Sequence, residues 1–325
     1  MVAIRRGLAL PFKYVAEHVF PEHARATVFH PICKIAVLQH IVLRQCMISL
    51  PLGTLAMSKP QKPRKCIFCG SSRLSREHFW PVWASKLLNV TGDARTVATY
   101  DHALGTAVLV REDKRPGHLK SIRIKCVCAK CNNEWMGSIE ESAKDCLTKL
   151  ATGASYTLSE IDKSNVATWV ALKVIIGEHN DAAKAVSRQT DRSLFRENRI
   201  PPNGFRILIA ACGDARLETV FAKTASKVMT RRPTINELDT GLPYNIQCTS
   251  FGFGRLFVHA IYTTTDADLQ PIFNEAGIVY TLWPLSEEPI TWPPKRSITY
   301  DEAASIARTL LDIDKLPDVT RVFKV

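Results

Sequence analysis

Two C-x2-C pairs, Cys66/Cys69 and Cys128/Cys131, constrain what this chain can fold into more than any other feature. Each pair offers two thiolates from one tight turn, and two such turns supply the four sulfurs of a closed tetrahedral zinc site. The 58 residues between Cys69 and Cys128 exceed what a simple zinc ribbon needs, so strands inside that stretch must bring the pairs back together. Gly70, directly after Cys69, suits the backbone of such a turn. Cys126 lies two residues before Cys128, where it would align with the wrong turn of the knuckle, and is read as a non-ligand. Structural zinc binding is worth roughly 10–16 kcal/mol of apparent free energy, comparable with the whole stability of a domain. Loss of one of the four cysteines should therefore unfold the module.

The chain holds ten cysteines in 325 residues, with no secretory signal pattern in its first residues. At this length, paired C-x2-C motifs favour metal over disulfides, and a reducing cytoplasm is the expected setting. Net charge is +12 but unevenly spread. Residues 58–150 carry 17 Lys/Arg against 9 Asp/Glu, whereas residues 151–325 carry 20 of each. A basic excess around the cysteines suits a polyanionic partner such as nucleic acid, and suits equally a solvated basic face.

Residues 1–57 form an N-terminal extension, whose longest apolar runs, 35–43 and 47–57, fall short of the roughly 20 residues of a membrane helix. No membrane association is expected. Composition changes abruptly at Met57, where the functional chain is expected to begin, and "KPQKPRK" (59–65) reads as a basic linker. Residues 58–153 form the expected zinc-binding module: a short helix at 82–88, extended segments at 96–100, 105–111 and 121–127, and a helix entered through the second cysteine pair. Along that helix Ile139, Ala143, Cys146, Leu147 and Leu150 recur at helical spacing, which makes Cys146 a core residue. Residues 154–325 read as an α+β domain. It opens with a helix capped near Ser159 and ending at Gly177, continues with strands at 204–211, 217–223, 245–251, 255–262 and 278–283, and closes with a helix at 300–311. The expected fold class is α+β, with a mostly antiparallel sheet in the second part.

Between the knuckles sits "SREHFWP", with Glu77 and His78 adjacent, and directly after the second knuckle come Asn132 and Asn133. Neighbours on a regular strand point to opposite faces, so Glu77 and His78 can share one site only with a twist or bulge. The order C-x2-C, Glu-His-x-x-Pro, C-x2-C-Asn-x-x-Trp resembles the HNH nuclease family in its zinc-stabilised, treble-clef-like ββα-metal form, and in particular a subset of bacterial HNH-type proteins. The resemblance covers about residues 66–150. It implies that His78 is the general base toward water, that Glu77 and Asn132 hold a catalytic divalent ion, Mg2+ or Mn2+, and that Asn133 is the second choice for that role. It further implies phosphodiester hydrolysis in DNA leaving 5′-phosphate ends. An imidazole suits proton abstraction near neutral pH, and carboxylate with amide oxygen suits a hard ion that also binds phosphate. Two positions depart from the family pattern: "SIRIKCVC" offers no middle Asn, and Trp135 stands where a Lys is often found. The missing phosphate contact would fall to Lys130, Lys125 or Arg76.

Several residues have plainer readings. His102 and His118 fit exposed or turn positions, His259 fits a sheet interior, and Glu140 and Glu141 fit a solvent-facing helix surface. Trp80, Trp83 and Trp135 could stack on bases, but next to a zinc module they are read as core. The functional expectation is an HNH-type endonuclease. Its rivals are a catalytically inactive zinc-stabilised nucleic-acid-binding protein and a structural platform for protein contacts.

Overall fold

Along the chain, four strands and a helix lie between and just after the cysteine pairs: Leu74–His78 (β1), Ala94–Ala103 (β2), Thr106–Pro116 (β3), Arg123–Cys128 (β4) and Gly137–Thr152 (α1). They are described in a computed structural model covering residues 65–87, 94–103, 106–116, 122–214, 220–229, 243–265, 279–307 and 320–321. The N-terminal extension, the expected start at Met57, His118 and nearly all of the basic linker lie outside the described residues. β1 pairs antiparallel with β4, and β2 with β3 as a separate hairpin. The expected helix at 82–88 is a single 3-10 turn, Ala84–Lys86.

β1 and β4 are out of step at one point. Ser75 faces Val127 but Glu77 faces Ile124, so Lys125 and Cys126 of β4 together oppose Arg76. A bulge of this kind bends the strand and breaks its alternation. In β4 the alternation exposed Arg123, buried Ile124, exposed Lys125, buried Cys126 accordingly gives way to consecutive buried Val127 and Cys128. The chain then makes one helical turn, Ala129–Cys131, and a π-helical turn, Asn132–Met136, before α1 proper. The wider turn lets the successive residues Trp135 and Met136 both face the core. α1 buries Ile139, Ala143, Cys146, Leu147, Leu150 and Ala151, and ends at Gly153, whose φ of +74° is the left-handed conformation glycine adopts without strain.

Beyond α1, Tyr156–Leu158 (β5) leads into Glu160–Glu178 (α2), whose start is a capping box in which Ser159 and Asp162 exchange hydrogen bonds. α2 is buried on nearly all sides, the behaviour of a helix at the centre of a core. Gln189–Asn198 (α3) follows. Five strands then form one antiparallel sheet: Phe205–Ala211 (β6), Phe221–Ser226 (β7), Ile246–Phe253 (β9), Leu256–Thr263 (β10) and Tyr280–Trp283 (β11), in the order β11-β6-β10-β9-β7. Val228–Met229 (β8) pairs with Thr320–Arg321 (β13), and Ile290–Trp292 (β12) with β5. α2 packs on one sheet face. On the other, Tyr300–Ala307 (α4) covers Ala210, Cys212 and Phe257 with Ala303 and Ile306. The architecture is thus α+β with a mostly antiparallel sheet, and among the described residues no helix is long and apolar enough to cross a membrane.

The core crosses the expected boundary at residue 153 without a break. Trp80, just past β1, stacks on Phe253 with ring centroids 5.6 Å apart and meets Phe251 edge-on at 5.5 Å. The β9–β10 turn docks on the end of α1: Arg255 donates its N–H to Ala151 O at 2.7 Å. Gly254 is required there, because its φ is +57° and a Cβ would lie 2.5 Å from Ala151 O. Residues 58–325 consequently form one compact unit.

Candidate metal centre and its neighbours

The first knuckle is built by backbone hydrogen bonds. Gly70 donates to Cys66 O at 2.9 Å, Cys66 donates to Ser71 O at 2.7 Å, and Gly70 takes a φ of +74°. Ile67, inside the knuckle, donates to Cys126 O at 3.0 Å and so docks it on β4. In the second knuckle Cys128 caps the helical turn that follows, its Sγ accepting the Cys131 N–H at 3.4 Å. The sulfurs of Cys66, Cys69, Cys128 and Cys131 converge within 4.8 Å of one another. With Zn–S bonds near 2.3 Å, a tetrahedron needs edges of roughly 3.8 Å, so the four thiols lie close enough to bind a metal such as zinc. Three are buried and Cys69 is exposed.

Cys126 is fully buried outside this group, as is Cys146 on α1. Among the described residues every cysteine is free of disulfides. Without a metal the thiols ionise unequally. At Cys128 burial opposes ionisation, but the Cys131 N–H and the neighbouring thiols outweigh it and bring the pKa down to about 7. At Cys131 burial dominates and pushes it up to about 12. A bound divalent cation reverses that burden and holds thiolates deprotonated. Four sulfurs leave no open position, so the site suits a structural ion rather than one that activates water.

His78 ends β1, half-buried, across from Arg123. Arg123 Nε donates to His78 Nε2 at 2.9 Å. Arginine is always a donor, so Nε2 is the acceptor and the neutral ring carries its proton on Nδ1. Glu77 faces Ile124 in the strand register, beyond the bulge, but its side chain lies outside the described residues. Asn132 opens the π-helical turn, and its Nδ2 donates to Asn133 Oδ1 at 3.3 Å. Leu74 faces Cys128 while His78 faces Arg123, so the second knuckle and His78 lie at opposite ends of the strand pair. Among the described residues no hydrogen bond joins His78 to Asn132.

Around these residues Arg73, Arg76, Arg123, Lys125 and Lys130 are all exposed. Arg123 and Lys125 share one face of β4, opposite the buried Ile124 and Cys126. Trp80 and Trp135 are core residues: Trp135 meets Phe68 edge-on at 4.8 Å and lies under the Arg199 guanidinium at 5.0 Å. Trp83 is half-buried against Phe253. His102 lies on β2, with its side chain outside the described residues. His259 is buried in β10 with Nδ1 2.8 Å from Ser250 Oγ.

Glu141 is exposed and pairs with Lys144, but Glu140 departs from expectation. It reaches across to Lys173 of α2, 2.6 Å away and fully buried. A buried ammonium needs a counter-charge, and Glu140 supplies it.

Sequence reading missed Arg123, which touches His78, and Arg192, which reaches the first knuckle. Only strand register and the docking of α3 reveal them. No protein-family model, curated protein or solved structure matches this chain.

Proposed function

We propose that this chain is a metal-dependent endonuclease of the HNH type that hydrolyses phosphodiester bonds in DNA, working in the cytoplasm. One observation supports the reading above others. The Glu-His strand is paired with the strand that runs into the Asn-bearing helix, and the knuckles flanking both converge on one four-sulfur centre. In this reading His78 is the general base, while Glu77 and Asn132 hold Mg2+ or Mn2+. The hard ion would neutralise charge on the phosphate and stabilise the leaving oxygen. Arg123 then has two tasks. In the free protein it fixes the His78 ring by its hydrogen bond, the orienting role that the absent middle Asn would otherwise fill. With substrate bound it turns to the phosphate, a better partner for a guanidinium than a neutral imidazole, and frees Nε2 to accept the proton of water. Exposed Lys125, Lys130 and Arg76 supply further phosphate contacts.

The test compares wild-type and His78→Ala protein on plasmid DNA with Mg2+ or Mn2+, measuring zinc in both. Loss of a general base should lower cleavage by roughly 10²- to 10⁴-fold, with zinc content unchanged. A second reading, a zinc-stabilised nucleic-acid-binding protein without catalysis, is favoured by the occupation of His78 Nε2 by Arg123 and by the pairing of Asn132 with Asn133. It predicts no cleavage by the wild type and DNA binding that weakens steeply with salt.

A further inference from the structure

Arg192 belongs to α3, far along the chain from the first cysteine pair, yet its Nε donates to Ile67 O at 3.0 Å. Ile67 lies between Cys66 and Cys69, and its N–H is already committed to Cys126 O. Both polar backbone groups of this knuckle residue are therefore held, one by β4 and the other by Arg192.

The guanidinium is itself fixed on its other nitrogens. Nη1 donates to the Ser187 carbonyl and, at 3.2 Å, to Ser187 Oγ, while Nη2 donates to Gln189 Oε1 at 3.0 Å. Ser187 is anchored in turn, its Oγ and N–H donating to the Glu178 carboxylate at 2.6 and 3.1 Å. Glu178, at the end of α2, also accepts from Gln247 Nε2 of β9, and Glu178, Ser187 and Gln247 are all buried. A continuous hydrogen-bonded chain thus runs from the central sheet to the backbone of the metal knuckle. Such a chain rigidifies what it reaches through its paired members, and those from Glu178 to Ile67 are paired at each step, while at the sheet end Gln247 Oε1 has no hydrogen-bond partner among the described residues.

We propose that Arg192 is a positioning residue of the metal centre, which holds the first knuckle in its ligating conformation through the Ile67 carbonyl. The inference rests on the four cysteines binding a metal, and is independent of nuclease activity. It makes metal affinity a property of Glu178, Ser187, Arg192 and Gln247 as well as of the ligands. Lysine cannot replace Arg192, because a single ammonium lacks the planar fork that spans Ile67, Ser187 and Gln189 together.

The experiment uses the full-length zinc-loaded protein and its Arg192→Lys and Arg192→Met variants. Zinc affinity is measured by competition with a chromogenic chelator, under conditions where far-UV circular dichroism shows each variant folded. Phe257→Leu, in the small core beneath α4, is the control that lowers stability without touching the knuckle. Both Arg192 variants should bind zinc about tenfold more weakly, the lower end of the range for groups that orient metal ligands, and should alter the visible spectrum of the Co2+-substituted protein. Phe257→Leu should leave both readouts unchanged. Wild-type affinity in both Arg192 variants, or an equal loss in Phe257→Leu, would overturn the proposal. A wild-type protein that takes up neither zinc nor cobalt would overturn the underlying metal reading and the proposal with it, an outcome distinct from both.

Discussion

β4 exposes two of its six residues and pairs with a single short neighbour, β1, whereas β9 and β10 bury all eight of their residues each beneath helices on both faces. A lone two-stranded pair is marginal in water. At β1–β4 four sulfurs converge closely enough to bind a metal that would make up the difference, beside the buried face of β4, whereas in the sheet apolar area alone does so. Chemistry follows the same division. Exposed basic side chains and the half-buried His78 gather on the β1–β4 pair, while His259 is sealed in the sheet interior and paired there with Ser250. A metal-held element can stay thin and keep its polar face in solvent; a burial-held element cannot.

The largest effect that tests this contrast is loss of the metal. Cys131→Ser, or prolonged chelation, should remove a contribution of roughly 10–16 kcal/mol, as large as the total stability of most domains. Because the core runs unbroken from Cys66 to Trp292, the expected outcome by calorimetry is loss of the cooperative transition of the whole unit. Survival of the sheet's transition, with only the cysteine region melted, would show two independent regions. Trp80→Ala probes the same seam from the packing side. This residue follows β1 but packs on Phe251 and Phe253 of the sheet. Truncation of a buried aromatic of this kind costs about 3–5 kcal/mol, measurable by urea unfolding of the zinc-saturated protein. A loss well under about 1 kcal/mol would mean that Trp80 adds little across the seam between β1 and the sheet.

How much of this was legible before the structure depends on how local each signal is. The four clustered cysteines follow from the spacing within two short turns, and the face of α1 and the Ser159 cap from spacing along a single helix; all stand where the sequence pattern placed them. Most strands of the central sheet were also readable to within two residues, β9 running two residues past its expected end, but β7, expected at 217–223, is Phe221–Ser226 and ends three residues later. α3 escaped notice because its short span offers one buried apolar residue, Phe195, and no small polar residue at its cap. The ion pair of Glu140 with Lys173, the Arg123–His78 bond and the reach of Arg192 to Ile67 all join residues distant in sequence. No periodicity encodes such contacts. They arise only once β1 and β4 are paired in register and α1, α2 and α3 are docked, which is why the residues that orient the candidate site were harder to read than its four clustered cysteines.

The smallest of these effects sets the sealed His259 against the half-buried His78. Burial pushes His259 down to about 3 from its ordinary value of 6.5. A depressed folded-state pKa means that the unfolded chain binds the extra proton first as pH falls. The contribution is therefore fully present above about pH 6.5 and is lost on acidification toward the folded-state value. Between pH 7 and pH 5 linkage gives a loss of about 2 kcal/mol from this one side chain. Zinc thiolates also weaken in acid, so the informative quantity is the difference between the zinc-saturated wild type and His259→Gln, each unfolded in urea at both pH values. The variant should be less stable at pH 7, and its further loss on going to pH 5 should be smaller by about 2 kcal/mol. In parallel, the ring resonances of His259 should hold their neutral positions down to pH 5 in NMR spectra of the folded protein. A His259 signal that titrates near its ordinary value would mean that solvent reaches the sheet interior, and the contrast between a sealed sheet and an open cysteine-held strand pair would fail.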